Sequence, residues 1–244
     1  MRRVERIALA DGIAEGLRRF QDKVDGTLEE GFSAVSFWNN RRGSLTVVGA
    51  LAALKQMAGP RERCMYCVDS AGNDVEHFWP KSQYWGRMFL WENLLLCCTH
   101  CGRLKSEEFP LMNGEPLLID PANDEPWQYL DFDPVTGNIV ARFNPDFGGE
   151  WPKGRETVKI LRLDRREGVA NGYKKTFRRL KAFVEELLQR EFSNDDVERL
   201  RESDDHGLLG WCFIGTGQTV QPFSGFRKAK PQEWAICQRA FASL

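Results

Sequence analysis

Cys64-Met65-Tyr66-Cys67 and Cys98-Thr99-His100-Cys101 bracket a stretch that reads Asp74-Val75-Glu76-His77-Phe78-Trp79-Pro80-Lys81-Ser82, then a loop, then Trp91-Glu92-Asn93-Leu94-Leu95-Leu96. Each Cys-x-x-Cys places two sulfurs across a tight knuckle, a spacing that lets both meet one tetrahedral Zn2+ at about 2.3 Å. Two pairs complete a closed thiolate shell, and closed shells hold a fold together while chemistry happens elsewhere. Structural zinc on Cys64, Cys67, Cys98 and Cys101 is therefore expected, with buried thiols or a redox pair as the alternatives. Cys97, Cys212 and Cys237 read as buried apolar thiols.

Between the knuckles, Ser70-Ala71-Gly72-Asn73 is a turn signal, and Val75 to Phe78 and Leu94 to Cys97 read as short strands. After Cys101, Arg103 to Glu108 can begin a helix that Pro110 ends. The order is strand, loop, strand, helix, clamped at both ends by cysteines.

Working outward, residues 1 to 24 carry Ile7, Ile13, Leu17 and Phe20 among charges, and Ser44 to Met57 repeats the pattern before Gly59-Pro60; both predict helices. Beyond the clamp, Pro116 to Pro121, Trp127 to Leu130 and Asn138 to Arg142 predict a small β extension. Residues 155 to 191 return to helical spacing, with Phe177, Leu180, Val184, Leu187 and Leu188 in one stripe, and Gln232 to Phe241 can form a last helix. The expected organisation is α+β: a helical N-terminal extension over 1–60, a core over 61–115, a β-rich extension over 116–150 and a helical C-terminal region over 151–244, forming one structural unit.

A composition of 42% hydrophobic and 28% charged residues predicts a folded globular chain rather than a disordered one. Lys+Arg 34 against Asp+Glu 35 gives a net charge of -1, so any attraction for phosphate is local or supplied by a partner. The N-terminal stretch holds no continuous apolar segment, and a soluble, cytoplasmic protein is expected.

Glu76 to Ser82, Trp91 to Leu96, Cys98 to Cys101, Phe109-Pro110-Leu111 and Leu118-Ile119-Asp120-Pro121 together resemble the HNH, or ββα-metal, endonucleases. The match is closest to the nuclease subunit of Septu-type anti-phage systems and its retron-associated relatives. It covers about residues 61 to 121 and is fainter in Leu161 to Arg165. The resemblance implies a zinc-stabilised ββα-metal core and metal-dependent hydrolysis of nucleic-acid phosphodiester bonds, DNA before RNA. It also implies a role in antiviral defence beside an ATPase subunit.

The chemistry needs a base for water, a cation on the phosphate and something to hold the base. By the resemblance, His77 is the candidate base, Glu76 a carboxylate ligand for Mg2+ or Mn2+, and Asn93 the residue that orients the catalytic loop. Lys81, Arg103 and Lys105 are candidate phosphate contacts. Each has a plain alternative: a core histidine, a solvated glutamate, a turn asparagine, solvated surface cations. Where the family places a His or Asn metal ligand, this chain has Gly102, and His100 is the candidate replacement, with Glu107 or Glu108 as nearby acids. That departure favours a second reading, a zinc-stabilised nucleic-acid or protein binding module whose catalytic site has decayed.

Two further features are ambiguous. Lys174, Lys175, Arg178, Arg179 and Lys181 form a basic run that reads as a solvated helix face or an anion site. Trp79, Trp85 and Trp91 could stack on bases, with packing as the rival role.

Overall fold

The computed structural model describes residues 1–27, 32–193 and 195–242; positions 28–31, 194 and 243–244, which fall in the expected N-terminal and C-terminal regions, lie outside the described residues. The chain is α+β, with short antiparallel strand pairs among helices. It folds into two units, one of Val4–Tyr66 with Ser70–Pro116, the other of Met1–Arg3 with Cys67–Asp69 and Leu117–Leu244. No helix among the described residues is long and apolar enough to cross a membrane.

The first unit contains helices α1 (Asp11–Asp25), α2 (Ala34–Asn39) and α3 (Leu45–Ala58). Ser44 caps α3 by accepting the Val47 N–H at 3.3 Å, and Gly59, at φ 83°, ends it in a conformation that glycine adopts without strain. Leu17 and Val24 of α1 and Val47, Ala50, Leu54 and Ala58 of α3 are buried. The two helices approach closely where side chains are missing: a Cβ on Gly16 would overlap Thr46, and one on Gly49 would overlap Ile13. The first helix does not reach back to residue 1, as its apolar spacing predicted. The Arg6 guanidinium instead donates to the carbonyls of Trp91, Leu94 and Glu92 at 2.7, 2.9 and 2.6 Å, and Trp91 Nε1 donates to the Ile7 carbonyl at 3.0 Å, an acceptor a continued helix would have used.

Strand β1 (Asp74–His77) pairs antiparallel with β2 (Leu94–Cys97), with Glu76 opposite Leu95 and His77 opposite Leu94. All of β2 is buried, which suits its unbroken apolar run. Helix α4 (Thr99–Lys105) follows directly, starting earlier than Arg103 because Cys98 serves as its N-cap. Ser106, at φ 44°, ends it well before Pro110. The hairpin β3 (Leu111–Met112) with β4 (Glu115–Pro116) closes the unit.

The second unit has the strand pairs β5 (Leu130–Phe132) with β6 (Ile139–Ala141) and β7 (Phe143–Asn144) with β8 (Gly149–Glu150). Strand was expected from Trp127, but Pro126 starts the single-turn helix α5 (Pro126–Tyr129) and extended backbone begins only at Leu130. The segment 155–191 is two helices, α6 (Pro152–Leu161) and α7 (Glu167–Gln189), broken at Arg162 with φ 50°. Phe177, Leu180, Val184 and Leu187 form the buried stripe of α7. Helices α8 (Asp196–Ser203), α9 (Leu208–Phe213), α10 (Phe223–Ala229) and α11 (Pro231–Phe241) complete the unit.

Candidate functional site

Local backbone bonds shape both cysteine knuckles. Cys64 N–H donates to Ser70 O and Met65 N–H to Leu96 O, each at 2.9 Å, which closes the first turn and ties it to β2. In the second, the Cys98 sulfur accepts the Cys101 N–H at 3.4 Å, so one residue caps α4 and presents a thiolate. The ligand atoms of Cys64, Cys67, Cys98 and Cys101 all lie within 4.8 Å of one another and all four residues are buried. A tetrahedral zinc–thiolate site requires sulfur–sulfur separations of about 3.8 Å, so the cluster fits a metal such as zinc.

Beside it, Glu76, His77, Pro80, Lys81, Ser82, Gly102, Ser106 and Glu107 line a cavity of about 190 Å³. His77 ends β1 with 3% of its surface exposed, its ring edge-on to Trp38 at 4.3 Å between centroids. Its Nε2 lies 3.0 Å from the Met88 carbonyl oxygen, an acceptor only, so Nε2 carries the proton. Nδ1 is left with its lone pair and has no hydrogen-bond partner among the described residues. Burial, reinforced by the charges of Lys81 and Lys105, holds the imidazole pKa well below its ordinary 6.5, so the neutral form prevails at neutral pH.

Asn93 is 3% exposed and spans both ends of the loop between the strands. Its Oδ1 accepts the Trp79 N–H at 2.7 Å, and its Nδ2 donates to the carbonyls of Trp79 at 3.1 Å and Arg87 at 2.8 Å. Holding Arg87 places the next carbonyl, that of Met88, against His77. Asn93 thus holds the residue preceding the one whose carbonyl meets His77.

Lys105 corrects an expectation. It is fully buried, with Nζ 2.8 Å from Glu76 Oε1 and 2.9 Å from the His77 carbonyl oxygen, so it is not a surface contact for phosphate. A lysine on a short helix reads as solvated; here α4 packs that face under β1. Burial raises the Glu76 carboxyl pKa, and the Lys105 ammonium works against that rise. Lys81, half-buried on the cavity wall, has no hydrogen bond or ion pair among the described residues, and burial lowers its pKa. Arg103 is exposed on α4 and lies outside the cavity lining.

His100 is exposed and likewise does not line the cavity, so it is not brought to Glu76 as a replacement metal ligand. Gly102 does stand beside Glu76: a Cβ there would lie 3.8 Å from Glu76 Oε2 and 3.8 Å from the Cys97 sulfur. Among the described residues, the cysteine cluster is the grouping of three or more His, Cys, Asp or Glu side chains able to hold an ion. The Glu76 side of the cavity therefore does not fit a resident divalent cation: this carboxylate is already paired with an ammonium, the adjacent position lacks a side chain, and Glu107, the other carboxylate of the lining, belongs to no grouping of three potential ligands among the described residues. Sequence reasoning missed Trp38, Ser82, Ser106 and the Met88 carbonyl. The last carries no side-chain signal, and Trp38 reaches His77 only through the fold.

Of the three tryptophans of the loop, Trp79 and Trp91 are engaged in packing, whereas Trp85 is exposed with an edge contact to Phe32. Trp79 contacts Tyr84 and Phe109 with Arg87 over its face, and Trp91 donates to the Ile7 carbonyl. In the basic run of α7, Arg179 pairs with Asp205 and Lys181 with Glu185.

Compared with models of known protein families and with curated proteins, the chain matches none.

Proposed function

We propose that this protein hydrolyses phosphodiester bonds in nucleic acid, DNA before RNA, at the cavity beside the cysteine cluster, with His77 as general base. The observation that carries this reading is the imidazole itself: neutral, fixed through Nε2 by a carbonyl, with Nδ1 unbonded, on a residue that lines a polar cavity. In the proposed reaction Nδ1 takes a proton from water as the water oxygen bonds to phosphorus. The bond to the leaving sugar oxygen breaks, and that oxygen is protonated by solvent. Lys81, an ammonium with no hydrogen bond or ion pair among the described residues, neutralises phosphoryl charge. The strand, loop, strand, helix order and the Asn93 clamp support the same reading. The sequence resemblance extends it to an effector of anti-phage defence working with an ATPase subunit, a division of labour compatible with a net charge of -1.

A second reading has a specific observation in its favour. The Glu76–Lys105 pair and Gly102 leave the site without the cation cage that the HNH resemblance implies, as in a zinc-stabilised binding module.

A cleavage panel of double-stranded DNA, single-stranded DNA and RNA separates the two, run alone and with the product of the neighbouring gene. His77→Gln is a better variant than His77→Ala, which would open a hole beside Trp38. His77→Gln is expected to lower the cleavage rate by about 10²- to 10⁴-fold with zinc content and thermal stability retained. Cleavage by His77→Gln at the wild-type rate, or no cleavage by wild type under any of these conditions, overturns the hydrolase reading.

A further inference from the structure

The buried Lys105 ammonium sits between two oxygens, Glu76 Oε1 at 2.8 Å and the His77 carbonyl at 2.9 Å, with no exposed surface of its own. A group so placed cannot exchange with solvent ions. It compensates Glu76, one of the two carboxylates that line the cavity with Glu107, from behind and ties down the backbone of the residue carrying the imidazole. The other carboxylate oxygen, Oε2, faces Gly102, where a longer side chain could have joined it in holding an ion. The backbone does not demand glycine there: the residue is helical, and a Cβ would meet its neighbours at ordinary contact distance.

We infer that Lys105 is the resident cation of this site, standing in for a divalent metal by neutralising Glu76 and positioning His77, so that the cavity receives a phosphate without a preloaded ion. The phosphate rests on the hydrolase reading above; the exclusion of a resident ion from Glu76 does not, because ion binding can be measured without cleavage. A divalent cation at Oε2 would have to approach a carboxylate whose charge is already cancelled, with no second side-chain ligand from α4. Lys81 then supplies the positive charge that meets the phosphate from the open side.

The test uses the full, zinc-loaded chain, with Mn2+ as the probe, titrated without nucleic acid and followed by the loss of the free-ion paramagnetic resonance signal. Wild type is expected to bind Mn2+ no tighter than Glu76→Gln does. Lys105→Met removes the ammonium at similar volume and should tighten Mn2+ binding by about tenfold or more, a gain that Glu76→Gln in the same chain reverses. Unchanged Mn2+ binding in a folded Lys105→Met chain counts against the inference. So does wild-type binding that Glu76→Gln abolishes, a result that needs no Lys105 variant to fold. Where the panel shows cleavage, the rate with Mg2+ and Mn2+ omitted and zinc retained should match the rate with them present. A strict requirement for either ion overturns the inference while leaving the hydrolase reading intact.

Discussion

The side-chain amide of Asn93 grips Trp79 on both sides of its backbone, accepting its N–H at 2.7 Å and donating to its carbonyl at 3.1 Å. This pairing resembles one rung of a β-ladder made by a side chain. It closes a loop that the two short strands alone would leave open, and a third bond to the Arg87 carbonyl fixes the far end. The site is therefore organised through backbone atoms that Asn93 holds in place.

Asn93→Ala should cost about 2–3 kcal/mol of stability, because it leaves buried backbone groups of Trp79 and Arg87 unpaired. Asn93→Asp keeps the acceptor but sets a second carboxylate oxygen against the Trp79 and Arg87 carbonyls in a buried site, and is expected to cost at least as much as alanine. Urea unfolding read by tryptophan fluorescence measures both. A loss below about 0.5 kcal/mol for Asn93→Ala would show that the clamp does not hold the loop.

The cysteine cluster makes a second prediction. Purified protein should carry about one zinc per chain, and Cys98→Ser should lose the metal while its hydroxyl can still cap α4. Metal analysis and thermal melting report the loss of zinc and of the stability it supplies, and chelation of wild type should reproduce both. Full zinc content and an unchanged Tm in Cys98→Ser would sink the assignment.

Acid sensitivity should come in part from Asp196. Its buried carboxylate accepts from Arg190 Nη1 at 2.8 Å and Nη2 at 2.7 Å and from Ser193 N–H at 2.7 Å. The Arg190 bonds, followed by those from Ser193, hold its pKa well below the ordinary 3.8, against the opposing effect of burial. A depressed folded value means the unfolded chain binds the proton first. This stabilisation is therefore complete above the unfolded value of about 3.9 and drains away as pH falls below it. Asp196→Asn should lower the Tm at pH 7 and lessen the further loss between about pH 4 and pH 2. Parallel Tm-against-pH curves for the two proteins would exclude the role.

Several features were legible in the sequence for local reasons. Cys-x-x-Cys spacing constrains sulfurs across a single turn, so the four clustered cysteines that could hold a metal could be named directly. Leu94 to Cys97 forms the expected strand because an unbroken apolar run bounded by a turn and a knuckle has few other local solutions. Ser44 and Gly59 bound α3 through capping chemistry carried within a few residues. Other boundaries moved where a distant group competed for the backbone: Trp91 holds the Ile7 carbonyl, the acceptor that Asp11 N–H would have used in a longer helix, so α1 begins only at Asp11.

The identities of Glu76, His77 and Asn93 as candidates followed from sequence, as did the absence of a side chain at Gly102. Only the tertiary structure decided which charges meet. It buries Lys105 beneath β1 against Glu76, leaves His100 exposed, and turns the Met88 carbonyl onto His77. Ligand spacing and strand pattern depend on chain geometry over a few residues, which the sequence states outright. Ion pairing and desolvation depend on which surfaces are pressed together across the fold, and a lysine carries no local mark of the carboxylate it will be buried against.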